Sequence, residues 1–134
     1  MPTHIDSAAA DHFASVWAAA WNARDLNAVL ALYDDDFQMT SPYIIEMAGE
    51  PSGTLRGKEA VAAYWHTALT RMPRLHFEIE AALPGVRTVA LLYRNGLKQC
   101  VEVLEFNAAG KVVRGEAHYL HGVLTSDPIT TTTG

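Results

Sequence analysis

The feature that most constrains this fold is a change of hydrophobic period near Pro73. Before it, apolar residues recur every three or four positions; after it, every second one. Ahead of the break, Phe13, Val16, Trp17, Ala20 and Trp21 share one helical face. Leu26, Val29, Leu30 and Tyr33 share a second, and Val61, Tyr64, Trp65, Ala68 and Leu69 a third. Beyond the break, Leu75, Phe77, Ile79 and Ala81 alternate with His76, Glu78 and Glu80, the pattern of a strand with one buried face. Turn signals at Pro84-Gly85, Asn95-Gly96 and Asn107 to Gly110 then divide the chain into three more predicted strands: Val86 to Arg94, Gln99 to Phe106, and Lys111 to about Val123. Strands joined in such tight succession pair as an antiparallel meander, and the apolar helix faces must cover one side of it. The predicted class is α+β.

Details of the amino-terminal half follow from capping chemistry. Asp6 or Ser7, Asp25 and Gly57 are placed to open the three helices. Asp34, Asp35 and Asp36 read as a solvated turn ending the second helix, and Phe37 to Thr40 as a short strand. Ser41 to Arg56 reads as a long loop, and its Tyr43, Ile44, Ile45 and Met47 suit a lid over a pocket. Residues 1–124 form one predicted domain, and the threonine-rich tail from 125 is predicted disordered. The strand Gln99 to Phe106 is apolar on both faces, with Val101 and Val103 on one parity and Leu104 and Phe106 on the other. One face can meet the helices. The other needs a cover, and a homodimer supplies it most simply.

With 49% apolar residues, the 134-residue chain can bury a real core. A net charge of −5 and ten scattered basic residues argue against a nucleic-acid partner. No apolar stretch approaches the roughly 18 residues of a membrane span, so no membrane role is expected. Met1 to Asp11 does not read as a signal peptide. Cys100 is the only cysteine and can form no internal disulfide. A cytoplasmic location is expected. Of six histidines only His118 and His121 lie close together, so no metal site is expected and nothing implies a cofactor.

Three stretches resemble a known family. Trp21 to Phe37 is similar to the second helix and first strand of SnoaL-like and ketosteroid-isomerase-like proteins of the NTF2-like superfamily. Leu55 to Trp65 is similar to the entry of their third helix, and Glu105 to Arg114 to their last hairpin. The resemblance implies a cone of three helices on a curved, mainly antiparallel sheet enclosing an apolar pocket. It also locates the isomerase machinery. The general base, an aspartate in those enzymes, falls on Ser41; the oxyanion-hole tyrosine falls on Trp17; the carboxylic acid beside it falls on Glu102. A further tyrosine falls on Trp65, while Tyr33 is kept. Ser41 cannot take a proton from carbon and Trp17 cannot act as an acid, so the isomerase reaction itself is not expected.

Glu102 shares its strand parity with Cys100, Leu104 and Phe106, which aims it at an apolar interior where its carboxyl becomes a neutral donor or general acid. Exposure through a register shift, or pairing with Arg94 across the hairpin, are open alternatives. His121 shares parity with Gly115, Ala117 and Tyr119 and is either a base at the pocket mouth or a surface residue at a strand end. Glu102, His121 and Tyr33 are thus the catalytic candidates. Trp17, Ser41, Trp65, Leu104 and Tyr119 are the candidates for contacting a small hydrophobic, oxygen-bearing molecule. Three readings compete: a cofactor-independent acid–base enzyme of isomerase, cyclase or dehydratase type, a non-catalytic binding protein, and a dimerising interaction module.

Overall fold

The computed structural model describes residues 4–122, so the predicted tail and Val123 lie outside the described residues. Helix α1 (Ser7–Asn22) is capped by Asp6, whose side chain accepts from Ala9 N, and short helix α2 (Leu26–Leu30) is capped in the same way by Asp25. Strand β1 (Tyr33–Thr40), helix α3 (Pro42–Ala48), strand β2 (Thr54–Arg56) and helix α4 (Lys58–Arg71) follow. Four strands complete the fold: β3 (Phe77–Pro84), β4 (Thr88–Asn95), β5 (Lys98–Phe106) and β6 (Val112–Tyr119).

These strands form one six-stranded sheet in the order β2-β1-β6-β5-β4-β3. The meander β3 to β6 is antiparallel as expected, and only the β1–β6 pair is parallel. Register shifts at Tyr33/Gln38, Ile79/Ala81 and Glu105/Phe106 interrupt three of the ladders. Such bulges bend and twist a sheet, and here they accompany its curvature around the core. The helices cover the concave side, where Trp17, Tyr33, Phe37, Leu91, Tyr93 and Leu104 are almost wholly buried.

Two side chains fasten the helical layer. Asn22 at the end of α1 donates to Phe77 O at 2.9 Å and accepts from Phe77 N at 2.7 Å, which pins α1 to the first residue of β3. Arg24, held at a positive φ of 57°, donates to the carbonyls of Leu69 and Met72 at the end of α4. A guanidinium there satisfies carbonyls that the helix leaves open and suits its negative end.

The structure corrects the expected arrangement in three places. Strand β1 begins at Tyr33, so Asp34, Asp35 and Asp36 lie within a strand rather than in a turn. The expected loop from Ser41 contains a fourth helix, α3, and a short strand, β2, paired with β1. Finally, β6 stops at Tyr119 instead of running to about Val123.

Candidate active site

The inward parity of β5 carries Lys98, Cys100, Glu102 and Leu104, all buried, while Gln99, Val101 and Val103 face outward. This settles the parity of Glu102. Its side chain enters a cavity of about 60 Å³ walled by Trp17 and Trp21 of α1, Trp65 of α4, Met47 of α3, and Tyr93 and Tyr119 of the sheet. Tyr93 donates its hydroxyl to Glu102 Oε1 at 3.0 Å. Arg94 does not compete for that carboxylate, because it faces outward and pairs with Glu80 at 2.9 Å.

Burial is the main influence on this carboxyl. Loss of hydration raises the Glu102 pKa from 4.5 to about 7, and the Tyr93 hydrogen bond opposes the rise only in part. The carboxyl therefore changes charge close to neutral pH. Its neighbours do not. Burial first, and the charge of Glu102 second, push Tyr33 and Tyr93 well above the usual phenol range. Tyr119 is raised by burial, then by Tyr64 and Glu102. The Cys100 thiol is pushed up to about 12, again chiefly by burial, which makes it a poor nucleophile.

A second polar group sits beneath α3. Ser41 caps that helix by accepting from Tyr43 N at 3.2 Å, and Pro42 occupies its first turn. The Ser41 hydroxyl also lies 3.5 Å from the hydroxyls of Tyr64 and Tyr119. Tyr43 packs edge-on against Tyr119 with ring centroids 4.7 Å apart. The former loop is thus a short helix laid over the cavity, contributing Tyr43 and Met47 to its wall.

The remaining sequence-predicted residues divide clearly. Trp17, Trp65 and Tyr119 line the cavity with Glu102. Tyr33 lies behind Trp17 and accepts from its indole Nε1 at 3.1 Å, so each occupies the other's polar tip. Ser41 is buried at the α3 cap, and Leu104 is packed in the core near Gly115 and Met39. His121 is not brought to the site. The strand ends two residues earlier, and His121 stands exposed in a turn with φ of 63°.

Sequence reasoning passed over Tyr93, Lys98 and Asn95. The signal for each was strand register: Leu91 pairs with Glu102 and Tyr93 with Cys100, which makes Tyr93 the diagonal neighbour of Glu102 on one face. Trp21 Nε1 is a buried side-chain donor with no hydrogen-bond partner among the described residues. A wider cleft of about 590 Å³ lies elsewhere, near Phe13, Val89 and Phe106, but the ionisable groups around it (His4, Asp6 and Arg87) are all exposed. No group of three metal-binding side chains occurs among the described residues, and no helix there is long and apolar enough to cross a membrane.

Residues 14–119 match the model of the SnoaL-like domain. Among solved structures, a SnoaL-like protein of unknown function from Burkholderia thailandensis is 49% identical with a TM-score of 0.83, covering 87% of this chain and 98% of that one. An NTF2-like protein of unknown function from Burkholderia pseudomallei is 22% identical with a TM-score of 0.70, covering 82% and 89%. TerC, co-crystallised with polyporic acid, is 16% identical with a TM-score of 0.68, covering 83% and 92%. Among curated proteins, no sequence matches significantly.

Proposed function

We propose that this chain, which belongs to the SnoaL-like domain family, binds a small hydrophobic molecule carrying oxygen and moves a proton on it without a cofactor. The observation that carries this reading is Glu102: a carboxyl buried in an aromatic cavity, held by Tyr93 at 3.0 Å, and titrating at about 7. A group whose pKa matches the working pH is the most effective proton carrier, since both of its forms are populated. With Ser41 committed to the α3 cap and His121 outside, Glu102 must act alone.

A single carboxyl can do so. As carboxylate it takes a proton from a carbon beside a carbonyl, and the electron pair moves toward the carbonyl oxygen. The protonated carboxyl then returns the proton to that carbon or to a conjugated one, which leaves the substrate exchanged or isomerised. Tyr93 steadies the carboxylate throughout, and the surrounding indoles exclude water. That a protein of the same fold was co-crystallised with an organic ligand supports such a cavity hosting one.

The test is deuterium exchange. Small cyclic ketones and enones are incubated with the protein in heavy water and followed by proton NMR. Exchange above the buffer rate that disappears in Glu102→Gln is the expected result. Equal exchange in both proteins, or none above the buffer rate, sinks the catalytic reading. In the latter case the non-catalytic binding protein stands, favoured by the serine and tryptophan at the positions of the isomerase base and oxyanion tyrosine.

We also propose that the outward face of the sheet self-associates. Leu92, Val101 and Val103 are half-buried there, framed by the ion pairs of Glu80 with Arg94 and Glu105 with Arg114. A single buried thiol fits a cytoplasmic setting.

A further inference from the structure

Lys98 is 8% exposed and lies on the inward parity of β5, where it lines the same cavity as Glu102. Lysine is almost never buried without a partner, because its charge loses hydration. Here the ammonium makes no hydrogen bond or ion pair with any described residue. Ion pairs among the described residues involve Lys58, Arg94, Arg114 and His118 instead. Glu102 does not serve as its counter-ion. The two residues are four apart on one strand face, about 13 Å of rise, and no ion pair joins them.

A second donor lies beside it. Asn95, 6% exposed, pairs in register with Lys98 and lines the same cavity. Its Oδ1 accepts from His76 N at 3.1 Å, which leaves the Nδ2 donors at the opposite end of the amide. One cation and one amide donor, paired across the β4–β5 hairpin, line the same cavity as the Glu102 carboxyl. That is the chemistry of a carboxylate seat.

We infer that the cavity recognises ring-sized monocarboxylic acids, with the ligand carboxylate at Lys98 and Asn95 and its apolar body directed toward Glu102. The inference rests on the small-molecule reading above and adds the charge and size of the ligand. Size follows from the room available. The cavity of about 60 Å³ is smaller than the roughly 150 Å³ known to admit benzene. Met39, Met47 and Met72 line it, and unbranched thioethers are the side chains that repack most readily around a ring. A steroid-sized body would need far more space, since sites for larger ligands run to roughly 300–1,000 Å³.

The experiment compares para-hydroxybenzoate with para-hydroxybenzamide, which share shape and phenol and differ in charge. Binding of each to wild type, Lys98→Met, Lys98→Arg and Glu102→Gln is measured by calorimetry. Wild type should bind the acid at least tenfold more tightly than the amide, Lys98→Met should lose that preference, and Lys98→Arg should keep it. The Arg variant guards against a Met variant that merely misfolds. Equal binding of acid and amide by wild type, an acid preference surviving in Lys98→Met, or no binding of either probe would overturn the inference. Glu102→Gln separates the two proposals. If it keeps the acid preference yet exchanges deuterium as fast as wild type, the proton-transfer reading falls and the carboxylate seat stands. If it loses exchange while wild type shows no acid preference, the reverse holds.

Discussion

Replacing Glu102 by glutamine should stabilise the protein at alkaline pH relative to wild type. The folded chain holds the Glu102 proton up to about 7, whereas the ordinary carboxyl value of 4.5 applies once the chain unfolds. Between those values the folded state binds a proton that the unfolded state has released, so stability falls as pH rises. The contribution of this group is fully present below about 4.5 and is lost by the time pH passes about 7. Across that interval, at about 1.4 kcal/mol per pH unit, the loss amounts to about 3 kcal/mol. Part of it can be relieved by water entering the cavity, so this figure is an upper bound.

Glutamine keeps the shape and an oxygen that can accept from Tyr93, but it does not titrate. The exposed carboxylates are common to both proteins and cancel in the comparison. Urea unfolding of each protein, at a series of pH values on both sides of the interval, gives the stability difference directly. That difference should be constant below about 4.5, grow in favour of the glutamine variant as pH rises, and level off above about 7. Two parallel curves, or a difference growing in favour of wild type, would refute the claim that Glu102 is ionised at a cost.

Two further substitutions probe the neighbourhood and the outer face. Tyr93→Phe removes the hydroxyl that stabilises the carboxylate, so the Glu102 titration should move upward from about 7. A hydrogen bond to a charged group is worth about 1.5–3 kcal/mol, which corresponds to a rise of about one to two pH units. Carbon-13 NMR of labelled glutamate reads it, and an unmoved or lowered titration would remove Tyr93 from the account. Val101→Glu places a charge on the half-buried outward face, opposite Leu92 and His118. Sedimentation velocity should show a wild-type dimer and a variant at least tenfold weaker in association; a monomeric wild type contradicts the self-association proposal.

Strand periodicity is a strong signal, and it is why β3 to β6 were legible in the sequence. Asn95-Gly96 fixed the β4–β5 register, and that register alone places Lys98, Cys100, Glu102 and Leu104 on one face. Where the signal failed, a competing local rule was present. Three successive aspartates concealed the first half of β1, ahead of the expected Phe37 to Thr40, and that half coincides with the register shift between Tyr33 and Gln38. The helix α3 had its own markers in Ser41-Pro42 at the start and Gly49 at the end, the glycine taking a φ of 69°. They were outweighed by the length of the apparent loop. The catalytic reading of His121 extends strand parity past the strand's end, and the alternative of a surface residue is the one the exposed turn matches. Parity carries no information once the backbone turns, and a φ of 63° at His121 turns it.

The two buried charged residues were unequally legible for a physical reason. Glu102 interrupts an apolar alternation, so its cost of burial is visible in the sequence itself. Lys98 follows a turn, where a lysine is ordinary and its long stem usually carries the charge back to water. Only the closed hairpin, with Asn95 paired opposite and Cys100 next on the same face, shows that this lysine is nine-tenths covered. The inward face of β5 therefore runs from a cation beside the hairpin, through a thiol held neutral, to a carboxyl titrating near 7 and then a wholly buried leucine. A ligand lying along that strand meets charge at one end and proton-transfer chemistry further in. If both proposals hold, Lys98 sets which molecules enter and in which direction, and Glu102 sets what happens to them. Disabling the first should then raise KM for acids while sparing kcat, and disabling the second should do the reverse.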